Sequence, residues 1–304
     1  MTIPMIPFAE GEKLLDWIGL TQAFEAGHRL GPAEIGDTFL YRDPDTLLSR
    51  AAWIDGMGMA VKTATVFPGN PEKGKPMIGG GVNLYADGDG SLEAIIDFHL
   101  VTKWKTAGDS LLGALRLARK DSRKILIIGA GTVGRSLREA YGAGFPGAEF
   151  TVWNRTRANA EKMAEEYEGL DVADDLEAAV KEADIITSAT MVTEPNLKGA
   201  WLQPGQHVDL IGAYRPDMRE VDDEALCRAR LFVDSFDTTL AHIGEIAIPL
   251  EAGTISRDDL VASFYEPEKM VRQSDDEITL FKNGGGAHLD LMTSRYILDR
   301  WRAS

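Results

Sequence analysis

A run of apolar residues that ends in a glycine-rich turn constrains the fold of this chain more than any other feature. Lys124–Ile128 leads directly into Gly129, Gly131 and Gly134, and a helical pattern opens after the turn. Strand, turn and helix in this order form the dinucleotide-binding fingerprint, in which the helix N-terminus receives the pyrophosphate. The glycines permit the tight turn, the approach of the backbone to the phosphates, and close packing of helix on strand. The segment therefore predicts a dinucleotide site.

The residues after the next predicted strand indicate which dinucleotide is bound. Glu149–Trp153 is followed by Asn154, Arg155, Thr156 and Arg157. An NAD site usually carries a carboxylate about 20 residues after the glycines, where it binds the ribose 2′-hydroxyl. Asn, Thr and two guanidinium groups instead suit a 2′-phosphate, through charge-assisted hydrogen bonds. We predict NADP(H), with NAD(H) as the alternative if the two arginines only begin a solvated helix.

A third segment completes the predicted cofactor site. Small residues after the strand Ile185–Ala189 are expected to pass under the nicotinamide ring. We expect the cofactor to contact residues of these three segments: Gly129, Gly131, Thr132, Val133, Gly134, Asn154, Arg155, Thr156, Arg157, Thr190 and Met191.

The region after residue 121 alternates strands and helices, which predicts a doubly wound parallel sheet of the Rossmann type. The candidate strands are Lys124–Ile128, Glu149–Trp153, Ile185–Ala189, Val208–Ile211 and Leu231–Val233. The candidate helices are Val133–Ala143, Arg157–Tyr167, Leu176–Glu182 and Asp222–Ala229. We place this dinucleotide-binding domain at residues 121–284.

The first 120 residues contain several strands without intervening helices, which predicts an α+β domain with an antiparallel or mixed sheet. The predicted strands are Thr46–Trp53, Gly58–Val66, Gly80–Ala86 and Glu93–Phe98, and the predicted helices are Glu10–Leu30 and Thr106–Lys120. A last helix, His288–Trp301, is expected to return to this domain. The substrate-binding and dimerisation domain is therefore discontinuous, comprising residues 1–120 and 285–304.

Charge and composition restrict the class of partner. The net charge is −16 and 44% of the 304 residues are hydrophobic, so we expect neither nucleic acid nor an anionic membrane as a partner. No apolar run is long enough to span a bilayer, and no secretory signal is visible. The single cysteine, Cys227, cannot form an intrachain disulfide. We expect a soluble cytoplasmic protein.

Three cations lie within otherwise apolar or small-residue stretches of the first domain. They are Lys62, Lys105 at the expected start of a helix, and Arg50. Each alone could be an edge or surface charge, but together they suggest a clamp for the carboxylate of a small anionic substrate. The five histidines show no metal-ligand spacing, and no GxSxG motif supports a serine hydrolase. Arg219 and Glu220 are expected to belong to a structural network.

Taken together, these segments resemble the ornithine cyclodeaminase/mu-crystallin family over nearly the whole chain. The matching pieces are Val61-Lys62 with Phe67–Asn70, Lys105–Ala107, Ile128–Gly131, Val152–Thr156 with Asn159–Lys162, Thr193–Pro195, Gly212-Ala213 with Arg215–Asp217 and Arg219-Glu220, and Thr279–Lys282. The resemblance implies a homodimer built through the sheet of the N-terminal domain. It also implies an active site in a cleft that faces the nicotinamide.

Departures from the family pattern favour one branch of it. Ornithine cyclodeaminases carry an aspartate where this chain has Tyr214, which supplies no fixed negative charge at neutral pH. The motifs Arg215–Glu220 and Trp153–Thr156 look more like those of the NADPH-dependent ketimine reductases. A Met-Pro pair frequent in the family is replaced by Arg50-Ala51, and the usual arginine before Thr-Ala-Ala is Lys105.

The resemblance predicts an NAD(P)H-dependent reductase of a small cyclic α-imino acid, Δ1-pyrroline-2-carboxylate or Δ1-piperideine-2-carboxylate, giving L-proline or L-pipecolate. Lys62, Lys105 and Arg50 are the predicted clamp, and the proton donor is either Lys62 or an ordered water. Two alternatives stay open: cyclodeamination of ornithine to proline and ammonia with a recycled NAD, and a crystallin-like NADPH-dependent binding protein.

Overall fold

The computed structural model describes residues 2–240 and 242–304, and the chain divides into two compact units. The first unit comprises Met1–Lys105 and Gly286–Ser304, and the second comprises Thr106–Gly285. None of the described helices is both long and apolar enough to cross a lipid bilayer.

Fourteen strands are present in the described part of the chain. In chain order they are β1 Met5–Ile6, β2 Glu34–Arg42, β3 Asp45–Ile54, β4 Gly58–Val66, β5 Ile78–Tyr85, β6 Leu92–Asp97, β7 Lys124–Ile128, β8 Glu149–Trp153, β9 Leu170–Val172, β10 Ile185–Ser188, β11 His207–Leu210, β12 Ala229–Val233, β13 Leu260–Ala262 and β14 Ile278–Lys282.

Ten α-helices accompany these strands within the same described residues. In chain order they are α1 Phe8–Gly11, α2 Trp17–His28, α3 Phe98–Leu117, α4 Thr132–Gly144, α5 Arg157–Glu166, α6 Leu176–Glu182, α7 Asp223–Arg228, α8 Phe236–Thr239, α9 Gly244–Ala252 and α10 Ala287–Ala303.

The first unit contains a six-stranded sheet of order β1-β6-β5-β4-β3-β2, antiparallel except for the β1–β6 pair. Helix α10 packs on α2 and on strands β3, β4 and β5. Successive residues of a strand face opposite sides of the sheet, and in β4 Gly58, Ala60, Lys62 and Ala64 are the buried set. The sheet therefore places a lysine in a row of small buried residues.

The second unit contains an eight-stranded parallel sheet of order β13-β12-β14-β11-β10-β7-β8-β9. Strands covered on both faces are expected to be continuous apolar runs, and Ile125–Ile128 of β7 are all buried. The predicted bounds of β7 and β8 are confirmed. The predicted fold class, a doubly wound Rossmann sheet with a separate α+β region, is confirmed as well.

A buried polar network crosses the parallel sheet at Asp209 of β11. Its Oδ2 accepts hydrogen bonds from the hydroxyls of Thr187 at 2.6 Å and Tyr141 at 3.1 Å. Burial raises the pKa of Asp209 to about 6, although these hydroxyl donors and the charge of Lys282 act in the opposite direction. Asp209 and Tyr141 are both fully buried.

Two predicted helices have the wrong bounds because an aspartate cap sets where each helix begins. The predicted helix Glu10–Leu30 is interrupted, and α2 begins after Asp16, whose Oδ1 accepts from the Gly19 amide at 2.6 Å. Helix α3 begins at Phe98 rather than at Thr106, because Asp97 accepts from the amides of the two residues after Phe98. Lys105 therefore lies inside a helix, not at its start. An aspartate before a helical run satisfies amides that would otherwise lack acceptors.

Candidate active site

The glycine turn between β7 and α4 has the geometry that a dinucleotide site requires. Gly129 has a φ of 110°, and a Cβ there would lie 2.9 Å from the Ala189 carbonyl oxygen. A Cβ on Gly134 would lie only 2.0 Å from the Gly129 carbonyl oxygen, so the third glycine lets helix and turn pack closely. A Cβ on Gly131 would meet nothing within 4 Å. The open space at Gly131, the residue before α4, is where an anion can approach the helix N-terminus.

A cavity of about 690 Å³ opens beside this turn in the second unit. Seven of the eleven residues predicted to bind the cofactor line it: Gly129, Gly131, Asn154, Arg155, Thr156, Thr190 and Met191. The other four, Thr132, Val133, Gly134 and Arg157, are not among its lining residues. The three predicted segments therefore meet around one cavity.

The loop after β8 is tied to the glycine turn by Asn154. Its side-chain oxygen accepts from the Ala130 amide at 3.1 Å, and its amide nitrogen donates to the Thr156 carbonyl oxygen at 2.9 Å. Arg157 is bonded to Glu161 at 2.7 Å and also contacts Asp174. Arg155 is exposed and makes no ion pair within the described residues.

The loop at Thr190 is held by a buried carboxylate. Glu220 accepts from the Ser188 hydroxyl at 2.6 Å, from the Thr190 amide at 2.8 Å and from the Gly212 amide at 2.6 Å. Glu245 accepts in turn from the Glu220 amide at 2.7 Å. Burial and the nearby Glu220 carboxylate raise the pKa of Glu245 to about 7. Glu220 therefore fixes the ends of two strands, which agrees with the structural role expected for it.

The first unit brings Lys62 and Lys105 to a single carboxylate. Lys62 Nζ donates to Asp290 Oδ1 at 2.9 Å, and Lys105 Nζ lies 3.6 Å from the same oxygen. Lys62 and Lys105 are each 7% exposed, and Asp290 is 2% exposed. Lys62 Nζ also lies 4.7 Å from the ring centroid of Phe98, a cation–π distance. Within residues 2–240 and 242–304, Asp290 is the one hydrogen-bond acceptor of Lys62.

Arg50 belongs to the same face of the sheet but has a different environment. The β3–β4 register places Arg50 directly opposite Lys62, and directly opposite residues share a face. The Arg50 guanidinium is bonded to Asp37, at 3.1 Å from Nε and 3.0 Å from Nη2, and its side chain is 29% exposed. The predicted group of three cations is thus a buried lysine pair with a half-buried arginine beside it.

The charges around the lysine pair shift the pKa of two neighbouring groups. Burial alone raises the pKa of Asp290, but the charges of Lys105 and Lys62 and the Lys62 hydrogen bond outweigh it and leave the pKa below its usual value. Burial and the charge of Lys105 lower the pKa of His288 to about 3. Asp290 is therefore ionised and His288 neutral at physiological pH.

Sequence reasoning missed Asp290 and Phe98. Asp290 lies in the first turn of α10, between the buried residues Leu289 and Leu291. A charged residue between apolar neighbours at the start of a helix is a usable signal, but its partner Lys62 is 228 positions away. No cluster of three His, Cys, Asp or Glu suited to a metal occurs in the part of the chain that the structure describes.

Tyr214 and Asp217 lie at the surface of the second unit. Tyr214 is 58% exposed, and Asp217 is bonded to Arg215 at 2.8 and 2.9 Å. Arg219 pairs with Asp223 at 2.7 Å. This segment thus carries local ion pairs between its charged side chains.

Comparisons with a family model and with known proteins identify related sequences. Residues 52–304 match the model of the ornithine cyclodeaminase/mu-crystallin family. The chain is 48% identical over 300 residues to a Δ1-pyrroline-2-carboxylate reductase of Paracoccus denitrificans, covering 96% of this chain and 95% of the relative.

Two solved structures share the whole fold. The Δ1-pyrroline-2-carboxylate reductase of Thermococcus litoralis, in complex with NADH and L-proline, has a TM-score of 0.89 at 27% identity and covers 98% of this chain and 97% of its own. An archaeal alanine dehydrogenase dimer with bound NAD has a TM-score of 0.90 at 27% identity and covers 100% of this chain and 97% of its own. The resemblance in the sequence motifs is confirmed, and the chain belongs to the ornithine cyclodeaminase/mu-crystallin family.

Proposed function

We propose that this chain is an NAD(P)H-dependent reductase of a small cyclic α-imino acid, which it converts to L-proline or L-pipecolate. The substrate class is that of Δ1-pyrroline-2-carboxylate and Δ1-piperideine-2-carboxylate. The reaction adds a hydride to the imine carbon and a proton to the imine nitrogen, so that one C=N bond becomes a C–N single bond. A bound reduced nicotinamide supplies the hydride.

The buried lysine pair carries this proposal. A buried ammonium group is costly unless its donors are bonded, and it has three N–H donors. Lys62 gives one donor to Asp290, and two remain within the described residues. The carboxylate of an imino acid supplies acceptors for them. We therefore assign Lys62 and Lys105 to carboxylate binding, with Arg50 as a third and more distant cation.

The relatives support the same reaction class. A relative 48% identical is a Δ1-pyrroline-2-carboxylate reductase, and a structure of the same fold is a complex of such an enzyme with NADH and L-proline. Tyr214 argues against the cyclodeaminase alternative, because the position that carries an aspartate in those enzymes holds an exposed phenol here.

NADP(H) is the cofactor that the loop after β8 favours. The structures of the same fold contain NADH and NAD, so the preference proposed here depends on this chain's own residues. Arg155 lines the cavity, together with Asn154 and Thr156. Its guanidinium pairs with no carboxylate in the described residues and can bind a 2′-phosphate.

A homodimer formed through the first unit is the proposed assembly. All nine residues of edge strand β2 are exposed. On the sheet face opposite Lys62, Trp53 is 48% exposed and Leu40 is 60% exposed, and a groove of about 470 Å³ is lined by Trp53, Met59 and Val61. A long uncovered edge and an apolar face are unusual in a monomer. Analytical ultracentrifugation of the purified chain should give twice the mass of 33.2 kDa.

One substrate panel tests the proposed reaction. Oxidation of NADPH and of NADH is measured with pyrroline-, piperideine- and open-chain imine carboxylates, and with ornithine plus NAD as the alternative. We expect turnover of a cyclic imine with NADPH and no ammonia release from ornithine. Proline formation from ornithine without net cofactor turnover, or no reduction of any cyclic imine, contradicts the proposal.

A further inference from the structure

Asp290 is a charged residue in a buried part of α10. It lies in the first turn of α10, where Ala287–Ser294 are all buried. Both lysines approach its Oδ1, while Oδ2 is buried without a hydrogen-bond partner in the described residues. A buried oxygen without a donor is destabilising. Residues that retain such a cost commonly serve a function that requires their position.

Asp290 is the carboxylate at the centre of a cationic group. The charged and titratable side chains that face it, or that face its neighbour on the same helix, come from α2, α3, α10, β3 and β4. They are His28, Lys105, His288, Arg50 and Lys62. The two histidine rings are 5.4 Å apart. The N-terminus of α10 further favours a negative charge in its first turn.

We propose that Asp290 is a positioning residue that holds the ammonium groups of Lys62 and Lys105 together as the receptor for a substrate carboxylate. This inference depends on the proposed function, because it assigns Asp290 a task in that same reaction. Asp290 itself need not touch the substrate. Its negative charge lies between two cations that would otherwise repel each other, and its Oδ1 fixes where Lys62 points.

Asp290→Asn removes the negative charge and nearly preserves the shape of the side chain. The two lysine ammonium groups then face each other without an anion between them. Two like charges at close range favour the release of a proton from one of the groups, and such a release then occurs about one pH unit or more lower. The variant should then bind the substrate carboxylate more weakly than the parent chain. As pH is raised, its activity should begin to fall at a lower pH than that of the parent chain.

The kinetic experiment compares three variants of the full chain. For Asp290→Asn we expect KM for the cyclic imino acid to rise by roughly 10-fold or more, and the alkaline limb of the kcat/KM profile to move down by about one pH unit. Asp290→Glu should recover part of both. Asp299→Asn changes an exposed aspartate of the same helix and should change neither. NADPH affinity is the check that the second unit stays folded.

A labelling experiment tests the role of Asp290 without any substrate. Competitive acetylation of Lys62 and Lys105 across pH, read by mass spectrometry, reports how readily each amine is deprotonated. We expect faster labelling in Asp290→Asn than in the parent chain or in Asp299→Asn. Unchanged labelling and an unchanged alkaline limb overturn the positioning role. If the parent chain reduces no cyclic imine but the labelling difference is found, the proposed function fails and the lysine-holding role stands.

Discussion

Each unit buries an aspartate, and the two differ in the partners that surround them. Asp209 is bonded to the hydroxyls of Thr187 and Tyr141, and burial raises its pKa to about 6. Asp290 is equally buried, but burial is outweighed there by two ammonium groups, which lower its pKa. At Asp209 the hydroxyl donors and the charge of Lys282 offset only part of the effect of burial, whereas at Asp290 the two ammonium groups more than offset it.

This difference separates a structural network from a candidate binding site. The hydroxyl network of Asp209 is buried within the second unit, where it joins α4, β10 and β11. The lysine pair at Asp290 concentrates positive charge in a chain whose net charge is −16. Functional sites are the usual location of buried charges arranged in this way. Four experiments test the roles assigned to residues of the two units, in order of decreasing expected effect.

The largest effect is expected from Lys62→Met, which keeps an unbranched side chain but removes the charge. Losing one partner of a buried charged contact costs about 2–5 kcal/mol, so kcat/KM for the cyclic imine should fall roughly 10²–10³-fold. The affinity of the variant for NADPH, measured by fluorescence titration, should stay within about 2-fold of that of the parent chain. Lys62 belongs to the first unit, whereas the residues of the predicted nucleotide site belong to the second. The control is Lys181→Met, which alters an exposed lysine paired with Glu177. An unchanged kcat/KM contradicts the assignment of Lys62.

The second effect concerns the free energy of unfolding, to which Asp209 and Asp290 should contribute with opposite dependence on pH. The unfolded Asp209 ionises near its ordinary value of 3.8 and the folded one at about 6. As pH rises from about 4 to 6, the free energy of unfolding of the parent chain should therefore fall relative to Asp209→Asn, by about 3 kcal/mol. Asp290 has a lowered pKa, so its contribution is present above pH 3.8 and is lost as pH falls below that value.

Urea unfolding of the parent chain, Asp209→Asn and Asp290→Asn between pH 3 and 7.5 provides the measurement. The parent-minus-variant difference should decrease with rising pH for Asp209 and with falling pH for Asp290. If both differences change in the same direction, the contrast between hydroxyl and ammonium partners is wrong.

A third experiment separates folding from cofactor binding within the glycine turn. Gly134→Ala places a Cβ 2.0 Å from a backbone oxygen, and such overpacking costs about 1–3 kcal/mol. Gly131→Ala meets open space, so its Tm should be nearly unchanged while NADPH affinity falls. Thermal unfolding and NADPH titration of both variants measure this. Equal loss of Tm in the two variants contradicts the distinct roles assigned to the two glycines.

The smallest effect concerns cofactor choice. Arg155→Ala should lower the ratio of kcat/KM with NADPH to that with NADH by roughly 10-fold or more, because a charge-assisted bond to the 2′-phosphate is lost. Arg157→Ala is the matched control, since that guanidinium is already bonded to Glu161. If the two variants have the same cofactor ratio, Arg155 does not select the cofactor.

The two units also differ in how much of each can be predicted from the sequence. The nucleotide site is encoded in short segments whose strands, turn and helix are local, so β7, β8 and the lining residues around Gly129 and Asn154 can be predicted from pattern alone. Lys62, Lys105 and Arg50 could be singled out as cations in apolar surroundings. Asp290 could not, because only the packing of α10 on β4 brings it to Lys62.

Other misses have similar physical causes. Strand β2 is exposed along its whole length, so it lacks the alternation of buried and exposed residues that identifies a half-buried strand. Strand β14 lies between β11 and β12 although it comes after both in the chain, and no local pattern predicts that insertion. The starts of α2 and α3 depend on Asp16 and Asp97, which a search for apolar periodicity passes over.

The position of α10 has a consequence for how the protein is made. A ribosome delivers β3 and β4 early, but the helix that covers them and carries Asp290 emerges more than two hundred residues later. During that interval Lys62 lacks the carboxylate of Asp290, and the part of the sheet that α10 contacts is exposed, so a chain without α10 should be more readily unfolded around β4. Released chains that end before α10 and released full-length chains should therefore differ sharply in protease resistance at β4.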